Sequence, residues 1–161
     1  MLGTLMFVSK LIMELLPNIH LLGTLTMVYT LVYRKKALIP IYVYVFMNGL
    51  YAGFSLWWMP YVYIWALLWG ATMLLPRQVN SRLSYVLCPA LNAIFGLLFG
   101  TLYAPAQALM FGLDFKATLS WIVAGLPFDL IHALGNLALG LLIPLLYSHL
   151  YRLSRGIGII K

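Results

Sequence analysis

Gly125-Leu126-Pro127-Phe128-Asp129-Leu130-Ile131-His132-Ala133-Leu134-Gly135-Asn136 sets an acid, an imidazole and an amide inside an otherwise apolar run. Asp129, His132 and Asn136 recur at i, i+3 and i+7, the spacing of one face of an α-helix. Ionisable groups in an apolar span are costly in lipid, so such a stripe faces other protein or a water-filled cavity. This stretch therefore predicts a helix in a membrane bundle with one functional face.

Composition supports that reading. Of 161 residues, 64% are hydrophobic and 8% are charged, against roughly 25% charged in soluble domains. Three acids and ten bases cannot cover so much apolar surface in water. The fold expected is an all-α integral membrane protein in one domain, residues 1–161. The net charge of +7 does not indicate nucleic acid, because the bases form no single tract or face. They punctuate apolar runs, as residues anchoring spans at a membrane surface do. Cys88 is the only cysteine, which excludes an internal disulfide and a multi-cysteine metal site. His20, His132 and His149 lie on different segments with no zinc-type spacing, so no metal is expected. The N-terminus lacks a basic start followed by a cleavage site and is not read as a removable signal.

Six apolar stretches follow from the turn and charge signals: about Leu2 to Leu16, Ile19 to Tyr33, Ala37 to Phe54, Trp57 to Leu75, Tyr85 to Tyr103 and Thr118 to Tyr151. A crossing helix needs ~20 residues, so the first two are short spans. The expectation is a compact six-transmembrane-helix bundle. Arg34, Lys35, Lys36, Arg77, Arg82, Arg152, Arg155 and Lys161 then share one side, and the opposite loops offer only Lys116. The positive-inside rule places both termini in the cytoplasm. The segment from Ala104 to Ala117, with Pro105, Gly112 and Asp114, is expected to be the longest outer loop and a candidate lid.

Other polar groups have two readings each. Lys10 and Glu14, at i and i+4, either neutralise each other or leave Glu14 to contact a ligand. Asn18 and His20 fall in the turn after the first span. Asn48 and Asn92 are amides at membrane depth that either join helices or touch a ligand. Trp57, with Trp58, Tyr51, Tyr61 and Tyr63, forms either an interfacial aromatic belt or a wall that stacks on a flat ligand. Counted from Thr118, Asp129 lies roughly 16 Å down the helix axis, a depth that suits a pocket open to the outside. Gly49-xxx-Gly53, Ala66-xxx-Gly70 and Gly96-xxx-Gly100 are small-residue pairs that let helices approach closely.

Leu16-Pro17-Asn18-Ile19-His20-Leu21-Leu22-Gly23, the turn Tyr33-Arg34-Lys35-Lys36-Ala37-Leu38-Ile39-Pro40, and Pro127-Phe128-Asp129-xx-His132-xxx-Asn136 together resemble an S component of an energy-coupling factor (ECF) transporter. Nearly the whole chain takes part in the resemblance. It implies a high-affinity capture subunit for a vitamin or related micronutrient in the cell membrane. Its partners would be a transmembrane T component and two ABC-type ATPases, which hydrolyse ATP in its place. It also implies that Asp129 and His132 contact the ligand, since riboflavin-type members carry an amide and a lysine at those two places. The changed residue types argue against riboflavin. The turn from Pro17 to His20 matches the family's first outer loop, which closes over the ligand. The first span departs from the family, lacking the Ala-xxx-Ala pair that many members use for docking. No GxxxxGK[ST] motif is present. A self-sufficient proton-coupled carrier and an intramembrane enzyme using Asp129 and His132 are the alternatives, but no internal inverted repeat and no GxSxG setting support them.

Overall fold

Why the apolar stretches fold as they do follows from their breakers and caps. The computed structural model describes residues 1–16, 18–76, 79 and 82–160, and every regular element among them is helical. The helices are α1 (Leu2–Ile12), α2 (Leu22–Tyr33), α3 (Leu38–Ala52), α4 (Tyr61–Met73), α5 (Arg82–Leu97), α6 (Phe99–Phe111), α7 (Phe115–Gly140) and α8 (Ile143–Gly156). Short 3-10 turns at Met13–Leu15, Arg34–Ala37 and Leu56–Trp58 join the early ones. Pro17, Arg77, Gln78, Ser81 and Lys161, used above as turn, polar or anchoring residues, lie outside the described residues.

All six apolar stretches are helical, but the last two divide. In the sixth, Pro144 is the second residue of α8. Its ring would clash with the carbonyl four residues earlier, that of Gly140, where α7 stops. In the fifth, the helix breaks at Leu98 and restarts as α6. The expected outer loop from Ala104 to Ala117 is mostly helical, which corrects the reading of Pro105 as a loop marker, while Gly112 and Asp114 do lie in the connection. Helix α6 runs through Pro105 to Phe111, and only Gly112 to Asp114 connect it to α7. Gly112 is a left-handed cap at φ 63°, and Asp114 Oδ1 accepts the Ala117 N–H at 2.7 Å. Gly112 thus ends α6 and Asp114 starts α7, with a three-residue connection between the helices.

Among the described residues, two helical stretches are long and apolar enough to cross a membrane, Arg82–Phe111 (30 residues) and Phe115–Gly140 (26 residues). Helices α1 to α4 have 11 to 15 residues, short of the ~20 a single crossing needs.

Helix α2 is the hub. Every residue from Leu22 to Val32 is buried, as expected of a helix apolar on all sides. It packs on α4, α8, α5 and α7, while α1 lies on α3. The surrounding helices turn large apolar side chains outward, among them Leu5, Phe46, Leu67, Val86, Leu109, Phe128 and Leu153. The most extensive pairing joins α5 to α7, and this pair carries the polar stripe.

Candidate functional site

Helices α5 and α7 run antiparallel with matched small and polar residues. A Cβ on Gly140 would lie 2.8 Å from Pro89 Cα, and one on Gly96 would lie 2.9 Å from the His132 carbonyl carbon and oxygen. On α6, Gly100 sits against the Asp129 carboxylate. Without side chains at Gly96 and Gly100, the stripe on α7 presses onto the opposite backbone.

Asn92 and Asn136 then clamp the pair. Asn92 Nδ2 donates to the Asn136 carbonyl (2.8 Å), and Asn136 Nδ2 donates to the Asn92 carbonyl (3.1 Å). Asn92 Nδ2 also reaches Thr24 Oγ1 on α2 at 3.2 Å. Its Oδ1 abuts Gly23, where no Cβ would fit. Asn92 is therefore chiefly an interhelical strut, the first of the two roles its sequence position allowed.

Asp129 does something the sequence did not reveal. Its Oδ1 accepts the Gly100 N–H at 3.0 Å, in the first turn of α6, where backbone donors have no partner inside the helix. The carboxylate thus meets the positive end of the α6 dipole. It is 6% exposed, and Oδ2 is buried with no hydrogen-bond partner.

One turn further along α7, His132 is buried among rings. Its imidazole contacts Phe99 and His20, each with centroids 4.9 Å apart and edge to face. The connector between α1 and α2 brings His20 into place. That connector turns at Asn18, where φ is 59°, and seats Ile19 against Gly135. His20 also meets Trp65 edge to face at 6.4 Å. Trp65, fully buried on α4, touches Phe95, Phe99, Tyr61 and Tyr44.

His20, Asn92, Asp129, His132 and Asn136 thus converge. Glu14, Asn18, Asn48 and Trp57 stand outside this cluster. Glu14 is exposed and bonded to Lys10 at 2.9 Å. Asn18 serves the turn. Asn48 is buried on α3 with an unpartnered Oδ1, beside Gly49, which packs on Phe54 and Trp58. Trp57 is half-buried, and its ring meets Tyr61 at 5.7 Å, one ring removed from Trp65. No ion pair joins Asp129 to His132 among the described residues. Nor do the described residues gather three or more His, Cys, Asp or Glu side chains able to hold a metal.

Trp65, Phe95 and Phe99 are the residues sequence reasoning missed. A signal was present for two of them: Asn92, Phe95 and Phe99 repeat the i, i+3, i+7 spacing of Asp129, His132 and Asn136. Nothing comparable marked Trp65 apart from the chain's other tryptophans.

Of nine buried side-chain N and O atoms without a hydrogen-bond partner among the described residues, six belong to this cluster: His20 Nδ1, Trp65 Nε1, Asn92 Oδ1, Asp129 Oδ2, His132 Nε2 and Asn136 Oδ1. Buried polar atoms are normally bonded, so a concentration of exceptions marks a place built for something else. Comparison of the chain with protein-family models, curated proteins and solved structures finds no match.

Proposed function

We propose that this chain is the substrate-capture subunit of an ECF-type importer. It would lie in the bacterial plasma membrane as six spans with both termini cytoplasmic, bind a vitamin-like small molecule from outside, and deliver it through a T component driven by two ATPase subunits. The observation that carries this reading is the set of unpartnered polar atoms set among the rings of His20, Trp65, Phe99 and His132. A ligand that satisfies those atoms recovers the cost of leaving them unbonded, which is how a buried site gains affinity and specificity.

Two further features support a membrane location. Outward-facing apolar side chains cover the bundle's outer helices, more than a water-facing monomer carries. The basic ends also gather. Tyr33 Oη and Ser154 Oγ are hydrogen-bonded at 2.6 Å, and Arg34 Nη2 donates to the Met73 carbonyl at 2.6 Å. These contacts bring the ends of α2, α4 and α8 together, with Arg34, Lys35, Lys36 and Arg155 near them, as the positive-inside rule requires of a cytoplasmic face.

Native mass spectrometry of protein purified in mild detergent from cells grown in rich medium tests the capture reading. A small-molecule adduct lost in His132→Ala and Trp65→Phe is the expected result. Protein that remains bare after exposure to a vitamin panel refutes it.

A further inference from the structure

Among the described residues, one buried carboxylate forms no ion pair. Three side-chain carboxylates exist in the whole sequence. Glu14 is paired with Lys10. Asp114 caps α7 at the bundle's edge. Asp129 accepts the Gly100 N–H on Oδ1, and its Oδ2 has no hydrogen-bond partner among the described residues. On its own helix, Lys116 lies 13 residues earlier, about 20 Å away at the α-helical rise. A carboxyl group held away from water either keeps its proton or, once ionised, needs an opposite charge at contact distance.

Three features say what supplies it. First, the acceptors outnumber the dedicated donors around Asp129. Asn92 Nδ2 uses both its N–H groups, on the Asn136 carbonyl and Thr24, and Asn136 Nδ2 uses one on the Asn92 carbonyl; the unpartnered atoms among the described residues then include the acceptors Asn92 Oδ1, Asn136 Oδ1 and Asp129 Oδ2, against Trp65 Nε1, which can only donate. Second, Phe95 and Phe99 flank Trp65 at centroid distances of 5.8 and 6.2 Å. The faces of such rings attract cations through their quadrupoles. Third, Asp129 lies one helical turn from His132, whose ring touches Phe99. The aromatic cluster thus begins one helical turn from Asp129, at the ring of His132. An anion would meet the Asp129 charge at this place and gain only the indole N–H and imidazole donors.

We infer that the captured molecule is a flat aromatic cation, a ring bearing a protonated or quaternary nitrogen. Asp129 is its counter-ion, and Trp65, Phe95 and Phe99 are its stacking surface. This inference rests on the capture reading and narrows it to one ligand class.

Three probes of nearly equal shape test it on the full chain in detergent: benzamidine (cation), benzamide (neutral) and benzoate (anion). Binding is read by ligand-observed NMR and by thermal shift. Benzamidine should bind at least about tenfold more tightly than benzamide, as expected for a charge-assisted bond replacing a neutral one, and benzoate should not bind. Asp129→Asn, which keeps an oxygen for the Gly100 N–H, should abolish the preference for the cation. If that variant fails to fold, the wild-type charge series still decides. Equal or tighter binding of benzamide or benzoate overturns the inference and leaves capture standing. So does a native adduct that is neutral or anionic at pH 7. No binding of any probe, together with no adduct, overturns both.

Discussion

Gly96→Ala tests the close approach of α5 and α7. The new methyl would lie 2.9 Å from Asn136 Nδ2 and from the His132 carbonyl carbon and oxygen. Two of those atoms are backbone in the middle of a 26-residue helix, so the helices must separate by several tenths of an ångström. Overpacking of this kind costs ~1–3 kcal/mol. Separation also strains the two reciprocal Asn92–Asn136 bonds, each worth ~0.6 kcal/mol in a membrane bundle. Against this, alanine favours a helix over glycine by ~1 kcal/mol. The balance is a loss of ~2 kcal/mol, or ~4–8 °C in Tm for a chain of this size. Gly125→Ala on the same α7 is the internal control, because nothing lies within 4 Å of its Cβ position. It should leave Tm unchanged or raise it slightly. Thermal unfolding in detergent, followed by tryptophan fluorescence, compares the two variants with wild type. If Gly96→Ala melts at or above Gly125→Ala, the proposed α5–α7 contact is wrong.

Further outcomes follow from other contacts. Asn92→Ala and Asn136→Ala should each cost ~0.6–1.7 kcal/mol and combine nearly additively, because each amide bonds the other residue's backbone carbonyl, which alanine keeps; no loss of stability in either single variant would refute the clamp. Gly112→Ala should lower Tm by the equivalent of ~1 kcal/mol although its surroundings are open, because φ there is 63° and alanine is strained in that region. A melt unchanged from wild type would refute the left-handed cap. Glu14→Gln should change stability by less than ~0.5 kcal/mol, the exposed Lys10 pair being screened by solvent. A loss of several degrees in low salt that vanishes in high salt would contradict that.

The α7 stripe was legible because helical periodicity needs nothing beyond local sequence, and Asp129, His132 and Asn136 are indeed buried together. Its partners were not, because they depend on which helix lies opposite. Gly96-xxx-Gly100 looked like one small-residue pair among several, yet it is the surface on which the stripe rests. Asp129 was read as a ligand contact, not as the partner of a backbone N–H. Its bond to Gly100 needs the break at Leu98, which no proline or glycine marks at that residue. Pro105 was overweighted as a breaker, since a proline can persist inside a helix packed against others, whereas Gly112 does end α6. Lys10 and Glu14 were identifiable as a pair from spacing alone. That the pair stands apart from the cluster was not, since a helical period says which residues share a face but not what that face meets.

The Thr24–Asn92–Asn136 triad also bears on biosynthesis. Asn92 leaves the ribosome 44 residues ahead of Asn136, a delay of ~2–9 s at ordinary elongation rates of ~5–20 residues per second. Throughout that interval the Asn92 amide has no α7 to bond. Thr24, synthesised long before, can already accept a hydrogen bond from it. Helix α2 is thus positioned as a scaffold that holds Asn92 until its second partner emerges, and the order of synthesis matches the order in which these three residues can join.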